Sequence, residues 1–521
     1  MQHRFVTLAA IVAAGLSLGA LTLIAGPLDP PNGPVQSTYK TLTEVEPRIA
    51  VNAANTPGDA DALYVISQPG SYYLTGNISG AAGKHGIQIT ASDVTLDLGG
   101  FVLTGANGTL DGVACDALRE GVVVRNGSVR KWENGVRLVS SGGRVERICA
   151  MGNRGTGIDL TGSPASHVIS CEARGNTGLA GISAGANAVL RDCMSTGNLL
   201  LGFAIAERSE VIGCNASDNG DAGFFGASGS SFEGCVSSQN AGGFFGLDAL
   251  TFSGCVAEGS DLQGFFLGSG AAMRGCVARS NGREGIFAGA GAALTGCTAQ
   301  ENASDGISLM EGSSATDCTA TSNQGAGIRA LSGAMLQGCA ASSNVSDGMT
   351  LGEGAGVSDC VASRNGGSGI VASHGATLRG CTGSYNGAHG VSVADGSTVA
   401  ECTGLGNSAG SGVKATIGCC VTACAGRGNF RGVHVDSRSS VIGCTASNNT
   451  AGVYAVLSDN RIEGNNVTLN QFGIDVDGAG NVVVRNSASG NSTNYAIAGG
   501  NDVGPIGSAS TATSPWANIA F

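Results

Sequence analysis

Four residues in the last quarter of the chain carry side chains used in acid–base chemistry, spaced 20–21 residues apart: Lys414, His434, Tyr454 and Asp475. Asp436 and Asp477 stand two residues beyond His434 and Asp475, and Arg427, Arg431 and Arg438 lie in flanking turns. Cleaving a uronate polymer by elimination needs a cation against the carboxylate and a base for the α-proton. Hydrolysis needs two carboxyl groups, one of them raised in pKa. Lys414, His434, Asp436, Tyr454, Asp475 and Asp477 supply the groups for either reaction and form the candidate catalytic column. Charges this sparse are usually a solvated face. Calcium would enter only with lyase chemistry. No other cofactor and no metal site is expected, because the chain lacks His-Glu-x-x-His, an EF-hand loop, a phosphate-cradling glycine loop and a Gly-x-Ser-x-Gly elbow. Cys419-Cys420-x-x-x-Cys424 lacks the paired C-x-x-C spacing and neighbouring histidine of a metal site.

A second series, Phe225, Phe245, Phe266 and Phe287, recurs at the same beat. Four rings stacked at a strand spacing of ~4.8 Å make an apolar strip about 15 Å long. Such a strip is a platform for sugar rings or a docking patch for a protein partner. A covering loop, or stacking that merely stiffens a sheet, is the structural alternative.

Both series belong to one internal repeat. Cysteines fall at 171, 193, 214, 235, 255, 276, 297, 318, 339, 360, 381, 402, 424 and 444, with gaps of 20–22 residues. Asn follows each by five residues, from Asn176 to Asn449, with Ser260 the one exception; Asn470 and Asn491 continue the series, with Asn465 and Asn486 in the cysteine slot. At the front, Asn153 fits if Ile148 takes that slot, which puts Cys149 off the ladder. After each Asn comes a Gly and an apolar residue, as in Gly306-Ile307 and Gly327-Ile328, with another inward candidate two residues on. That period of two marks a short strand with one buried face. A second apolar position precedes the cysteine by three, and the cysteine with the small residue two beyond it makes a third strand. Three short strands per ~21-residue coil describe an all-β, right-handed parallel β-helix of about eighteen coils. Leucine-rich repeats share part of the pattern, but Ala and Cys are too small for their core and no segment here supplies their helix. In-register neighbours sit ~4.8 Å apart, beyond the ~3.8 Å Cβ separation of a disulfide, so the cysteines read as small buried hydrophobes. Asn suits the corner because it tolerates a left-handed backbone and its amide bonds the amides above and below.

Composition agrees. Gly 88 with 5% aromatic residues describes a narrow interior, not stacked globular cores. A net charge of -12 with four lysines leaves no basic stripe for nucleic acid. His3 and Arg4 before the uncharged stretch from Phe5 to Gly26 read as an export signal or a retained anchor, which places the remainder outside the cytoplasm: extracellular, at the cell surface or periplasmic. An N-terminal cap over 27–85, irregular first coils over 86–148, regular repeats over 149–500 and a C-terminal tail over 501–521 complete the reading, with Trp516 as the plug of the last coil. A membrane contact is expected only through that anchor, and the oligomeric state stays open.

VTLDLGGF at 94–101, the recurring N-x-x-x-G-[IVF] element and PGSYYLTGNI at 69–78 resemble the right-handed β-helix proteins of the pectin-lyase-like superfamily. The resemblance covers nearly the whole chain beyond the export segment. It implies the fold and leaves the activity open among polysaccharide lyases, glycoside hydrolases, epimerases, phage tailspikes and proteins without catalysis. An adjacent aspartate pair, G-H-G and R-I-K, the catalytic signatures of the superfamily, are absent. Regularity without a dense polar cluster favours a non-catalytic solenoid presenting a binding face to a polysaccharide or a protein; a lyase or hydrolase using the Lys414–Asp475 column is the alternative.

Overall fold

The computed structural model describes residues 45–521, so the stretch from Phe5 to Gly26 expected to act as an export signal or anchor lies outside the described residues. Arg48–Phe521 forms one compact unit. Its coil is seen in Ile307–Leu309, Ser314–Thr316 and Thr319–Thr321, three strands joined by sharp corners. Each pairs in parallel with its counterpart one coil on: Ile307 with Ile328, Ala315 with Leu336, Ala320 with Ala341. The first strands of all coils make a front sheet of 21 strands; the second and third make a back sheet of 42. The solenoid is longer than the cysteine beat implied because pairing already begins at Ala62–Ile66, long before Cys171.

The interior is filled by stacked equivalents. Ile286, Ile307 and Ile328 are fully buried on the front sheet, Cys297, Cys318 and Cys339 on the back. All eighteen cysteines are free thiols. Cys339 illustrates why Cys is used where Ala would nearly fit: its Sγ lies 3.3 and 3.4 Å from the carbonyls of Ala315 and Gln337, so it fills the corner and gives a weak hydrogen bond. Ile148 does take the cysteine slot, and Cys149 is half-buried beside it. Four coils carry a larger load. Phe203, Phe224, Phe244 and Phe265 stack face to face inside at 4.7–4.8 Å, with Phe232 and Phe252 edge-on against them. Gly226 makes this possible, since a Cβ there would come within 2.8 Å of the Phe232 ring.

The asparagine ladder lines one corner. Asn323 Nδ2 donates to Asn344 Oδ1 at 3.0 Å and to the Ala299 carbonyl at 3.2 Å, and the Asn323 N–H donates to the same Oδ1 at 3.0 Å. The expected backbone reason is wrong, however. The left-handed residue is the one before each Asn (Ser280, Glu301, Ser322, Ser343, Arg364, Tyr385), not the Asn itself. That residue turns the chain, and the amide then fills the inside of the turn. At the far end Asn465 Nδ2 donates to Asn486 Oδ1 and Asn486 Nδ2 to Asn518 Oδ1, each at 3.0 Å, a second ladder where cysteine runs out. Asn518 and Tyr495, whose hydroxyl lies 2.9 Å from the Asn486 and Ile519 carbonyls, close the last coil. Trp516 does not plug it: the ring is 47% exposed and lies 4.2 Å beneath the Arg485 guanidinium.

Ser260 interrupts the ladder, and its buried hydroxyl has no hydrogen-bond partner. Gly243 stands at the position where the glycines of other coils face the Asn amide. Ser260→Asn is therefore expected to raise stability by about 1 kcal/mol, whereas Asn323→Ala, which strips two donors of their acceptor, costs ~2–4 kcal/mol in denaturant titrations. Thiol alkylation supplies a second check. The native protein should react at Cys149 and Cys420, the two cysteines that are not buried, and the denatured, unreduced protein at all eighteen. Fewer reactive thiols after denaturation would mean disulfides.

Candidate binding face

One outward position of the front sheet runs through the solenoid as a single column. Asp159, Ser183, Ala204, Phe225, Phe245, Phe266 and Phe287 pair in sequence. The column continues through Ser308, Arg329 and Thr350 to Lys414, His434, Tyr454 and Asp475. The aromatic series and the candidate catalytic series thus occupy the same face. Period-two alternation sends these side chains out because their neighbours, such as Phe224 and Val433, are buried.

The four rings are not a uniformly open platform. Phe266 alone is exposed, at 42%; Phe225, Phe245 and Phe287 are half-buried. Phe266 and Phe287 stack on each other at 5.0 Å and 16°, so one face of each is already occupied. Phe245 departs from that stack, tilted 59° to Phe266. Its ring lies over Gly242, where a Cβ would collide with it at 2.6 Å. Phe225 and Phe245 instead form one wall of a hollow of about 580 Å³, lined also by Leu179, Leu201, Ala204 and Asp221. This concavity was not legible in the residue pattern, because it arises where the column steps from Ala204 up to Phe225. Polar groups flank the strip on the C-terminal side: Glu284 accepts hydrogen bonds from Gln263 Nε2 and Ser304 Oγ, both at 3.2 Å, and Asp305 accepts from Arg329 Nε at 2.6 Å.

The second series does come together. Tyr454 donates its hydroxyl to Asp477 Oδ2 at 2.5 Å, and the Arg431 guanidinium lies 4.1 Å over the Tyr454 ring. His434 is buried, 6% exposed, with its ring centroid 5.2 Å from that of Tyr454. Its Nδ1 lies 3.5 Å from Ser411 Oγ; its Nε2 lies 3.2 Å from Asp436 Oδ1, yet the two are not aligned and Nε2 has no hydrogen-bond partner. Burial first, then the Arg431 and Lys414 charges, pull this imidazole down to about 3. His389, which accepts the Ser411 N–H at 2.9 Å, is lowered by the same causes. Asp475 is raised by burial and by Asp477, and Tyr454 is raised by its bond to Asp477. Arg431 belongs to the group. Arg427 and Arg438 do not: the first ends a back-sheet strand, and the second sits in the left-handed turn that follows the front-sheet strand Arg431–Ser437. Cys419 and Cys424 point into the core while Cys420 is half-buried on the other side of its strand, so the three do not converge.

The model of the right-handed β-helix region matches residues 99–262, 214–323, 265–409 and 372–506. The chain belongs to the right-handed β-helix family. Solved β-helices similar to it include the A-module of the mannuronan C-5 epimerase AlgE4 of Azotobacter vinelandii (13% identity, 79% of this chain and 90% of that one, TM-score 0.27). A PL6-family alginate lyase, AlyGC, is similar at 8% identity over 88% of this chain and 95% of that one, TM-score 0.29. The Dettilon tailspike matches at 15% identity over 60% and 57%, TM-score 0.25. No curated protein matches the sequence.

This β-helix also holds a charged group that the repeat pattern hid. Three residues of the front-sheet strand Val113–Glu120 bulge out opposite Val139, shifting the register between Leu138 and Ser140, and lift Asp116 over the sheet. His85 Nε2 lies 3.7 Å from Asp116, and Arg137 reaches Asp111, Asp116 and Asp159 at 3.6–3.9 Å. Burial raises the Asp111 carboxyl. Arg137 stands next to Asp159 in the same outward column, so extending the column back one coil was the available signal. The bulge itself has none.

His434 yields a pH test. Above roughly 6.5, the free imidazole value, folded and unfolded chains are both neutral and the residue is indifferent to pH. Between there and about 3 the unfolded chain binds a proton that the folded one refuses, so stability falls as pH falls. Urea midpoints at pH 7 and 5 should therefore drop less for His434→Gln than for the unaltered protein. The opposite sign would mean that Asp436 holds the ring protonated.

Proposed function

We propose that this protein binds a polysaccharide along its front sheet, outside the cytoplasm, and does not cleave it. The observation that carries the reading is the in-register run of Phe225, Phe245, Phe266 and Phe287 on the outward column, with an apolar hollow at its head. The coil rise of ~4.8 Å is close to the length of one pyranose unit, so a glycan lying along the axis meets an equivalent position on each coil. Aromatic groups cover the apolar faces and edges of sugars, while Gln263 and Glu284, half-buried beside the strip, offer polar groups for ring hydroxyls. An export segment ahead of a solenoid with no basic stripe is in keeping with a glycan met outside the cell membrane.

The groups of the Lys414–Asp475 cluster are shifted in different senses: burial and Asp477 raise Asp475, the direction an acid needs. A base works best with a pKa near the operating pH. His434 is pulled far below that range, and Tyr454 is pushed above its own. The same groups serve binding: a cation on one side, carboxylates on the other, and a tyrosine held between.

A glycan-array screen on the mature protein, followed by affinity electrophoresis, tests the reading. Phe245→Ser with Phe266→Ser is expected to weaken retention by roughly tenfold or more, the worth of two aromatic contacts, with an unchanged circular dichroism spectrum. Retention that ignores the double change would refute the aromatic face. New unsaturated or reducing ends from polyuronates, abolished by His434→Ala or Asp475→Ala, would replace binding with catalysis.

A further inference from the structure

The hollow at the head of the aromatic column has a chemical character of its own. Its floor is small where the following coils are aromatic: Ala184, Ala204, Ala206 and Ala227 lie beside Phe225 and Phe245. Leu179, 57% exposed, and Leu201 form the rim. Leu199 and Leu200 are exposed in the adjoining turn. Asp221 is the one titratable side chain in the lining, and Thr161 adds a hydroxyl. It is a shallow, open depression of about 580 Å³ with an apolar wall and one or two polar groups at its margin, a shape that can seat one compact ligand unit. No cation lines it, so a uronate carboxylate placed there would meet only the Asp221 charge.

We propose that this hollow receives a neutral sugar unit bearing a methyl group, either the C6 methyl of a 6-deoxyhexose or the methyl of an O-acetyl ester, on a glycan that continues over Phe245 and Phe266. The methyl lies on the alanine floor between Leu201 and Phe225, and Asp221 accepts a ring hydroxyl. Ala204 sets the specificity because it is the column position in register with Phe225: a larger side chain there would extend the aromatic run and fill the space. The inference rests on the glycan-binding reading and narrows it to a substrate class, one that excludes polyuronates from this end of the face.

Two matched ligand pairs distinguish the sources of the methyl. One is an O-acetylated glucomannan before and after mild alkaline de-O-acetylation. The other is an oligosaccharide ending in L-fucose and its L-galactose counterpart, which differ only by the C6 hydroxyl. Calorimetric titration of the full chain is expected to show about fourfold weaker binding on loss of the methyl in at least one pair. Ala204→Phe, at a half-buried outward position, is expected to keep the fold and abolish that difference, together with roughly tenfold of the affinity. Equal affinity within both pairs, or polygalacturonate bound more tightly than either parent glycan, would overturn the proposal. So would Ala204→Phe binding as the unaltered protein does. If Ala204→Phe is silent while Phe245→Ser with Phe266→Ser still weakens retention, the hollow is wrong and the face stands. If neither variant changes binding to any glycan, the functional reading falls with it.

Discussion

Every feature of this protein depends on a chain returning, about 21 residues later, to the point directly above where it began. A strand of three residues cannot bury its own face or satisfy its own amides. It becomes stable only when an equivalent strand lies on each side of it. The corner amides tighten that requirement. Asn323 accepts from the coil before and donates to the coil after, so the ladder bonds only if successive corners sit in register to within hydrogen-bond distance. A slip of one residue would break the ladder and turn every buried side chain outward. Register is thus enforced twice, by burial and by polar pairing, and the outward columns are straight as a consequence.

Straight columns make a surface on which one substitution per coil writes one position of a linear site. Local identity is then nearly free, since an outward residue on the front sheet contacts chiefly its column neighbours. The chain uses that freedom in segments: small residues around Ser183 and Ala204, aromatic ones from Phe225 to Phe287, and charged ones from Lys414 to Asp475. The interior answers in the aromatic segment, where Phe224, Phe244 and Phe265 stack behind Phe225, Phe245 and Phe266. Rings on both sides of the same strands stiffen the part of the sheet that carries the apolar surface.

What the sequence disclosed follows from the same physics. Anything that repeats was legible: the Cys and Asn ladders, the three strands per coil, the outward column and hence the grouping of Lys414, His434, Tyr454 and Asp475. Anything that depends on departure from the repeat was not. The hollow exists because Ala204 is smaller than Phe225, a difference in height that residue types alone do not turn into a cavity. Asp116 reaches His85 only through a bulge in an irregular coil. The burial of His434 comes from neighbours on adjacent coils, and the mutual stacking of Phe266 and Phe287 is a choice of rotamer. Trp516 was misplaced for a related reason: the tail beyond residue 500 has left the repeat, and a large apolar residue in it carries no register from which a position can be read.

The contrast between the two halves of the face bears on how such a solenoid comes to hold or lack catalysis. Catalysis needs groups whose protonation states are pulled apart and matched to a task. A regular column tends to do the reverse. Equivalent positions share one environment, so neighbours of like charge shift each other in the same direction. Burial, and after it the Arg431 and Lys414 charges, push His434 and His389 toward the neutral form, and burial with Asp477 raises Asp475. Breaking that symmetry takes an irregular coil, and in this protein the irregular coils lie at the N-terminal end, away from the Tyr454 cluster. A perfectly repeating wall is well suited to lying along a repeating polymer.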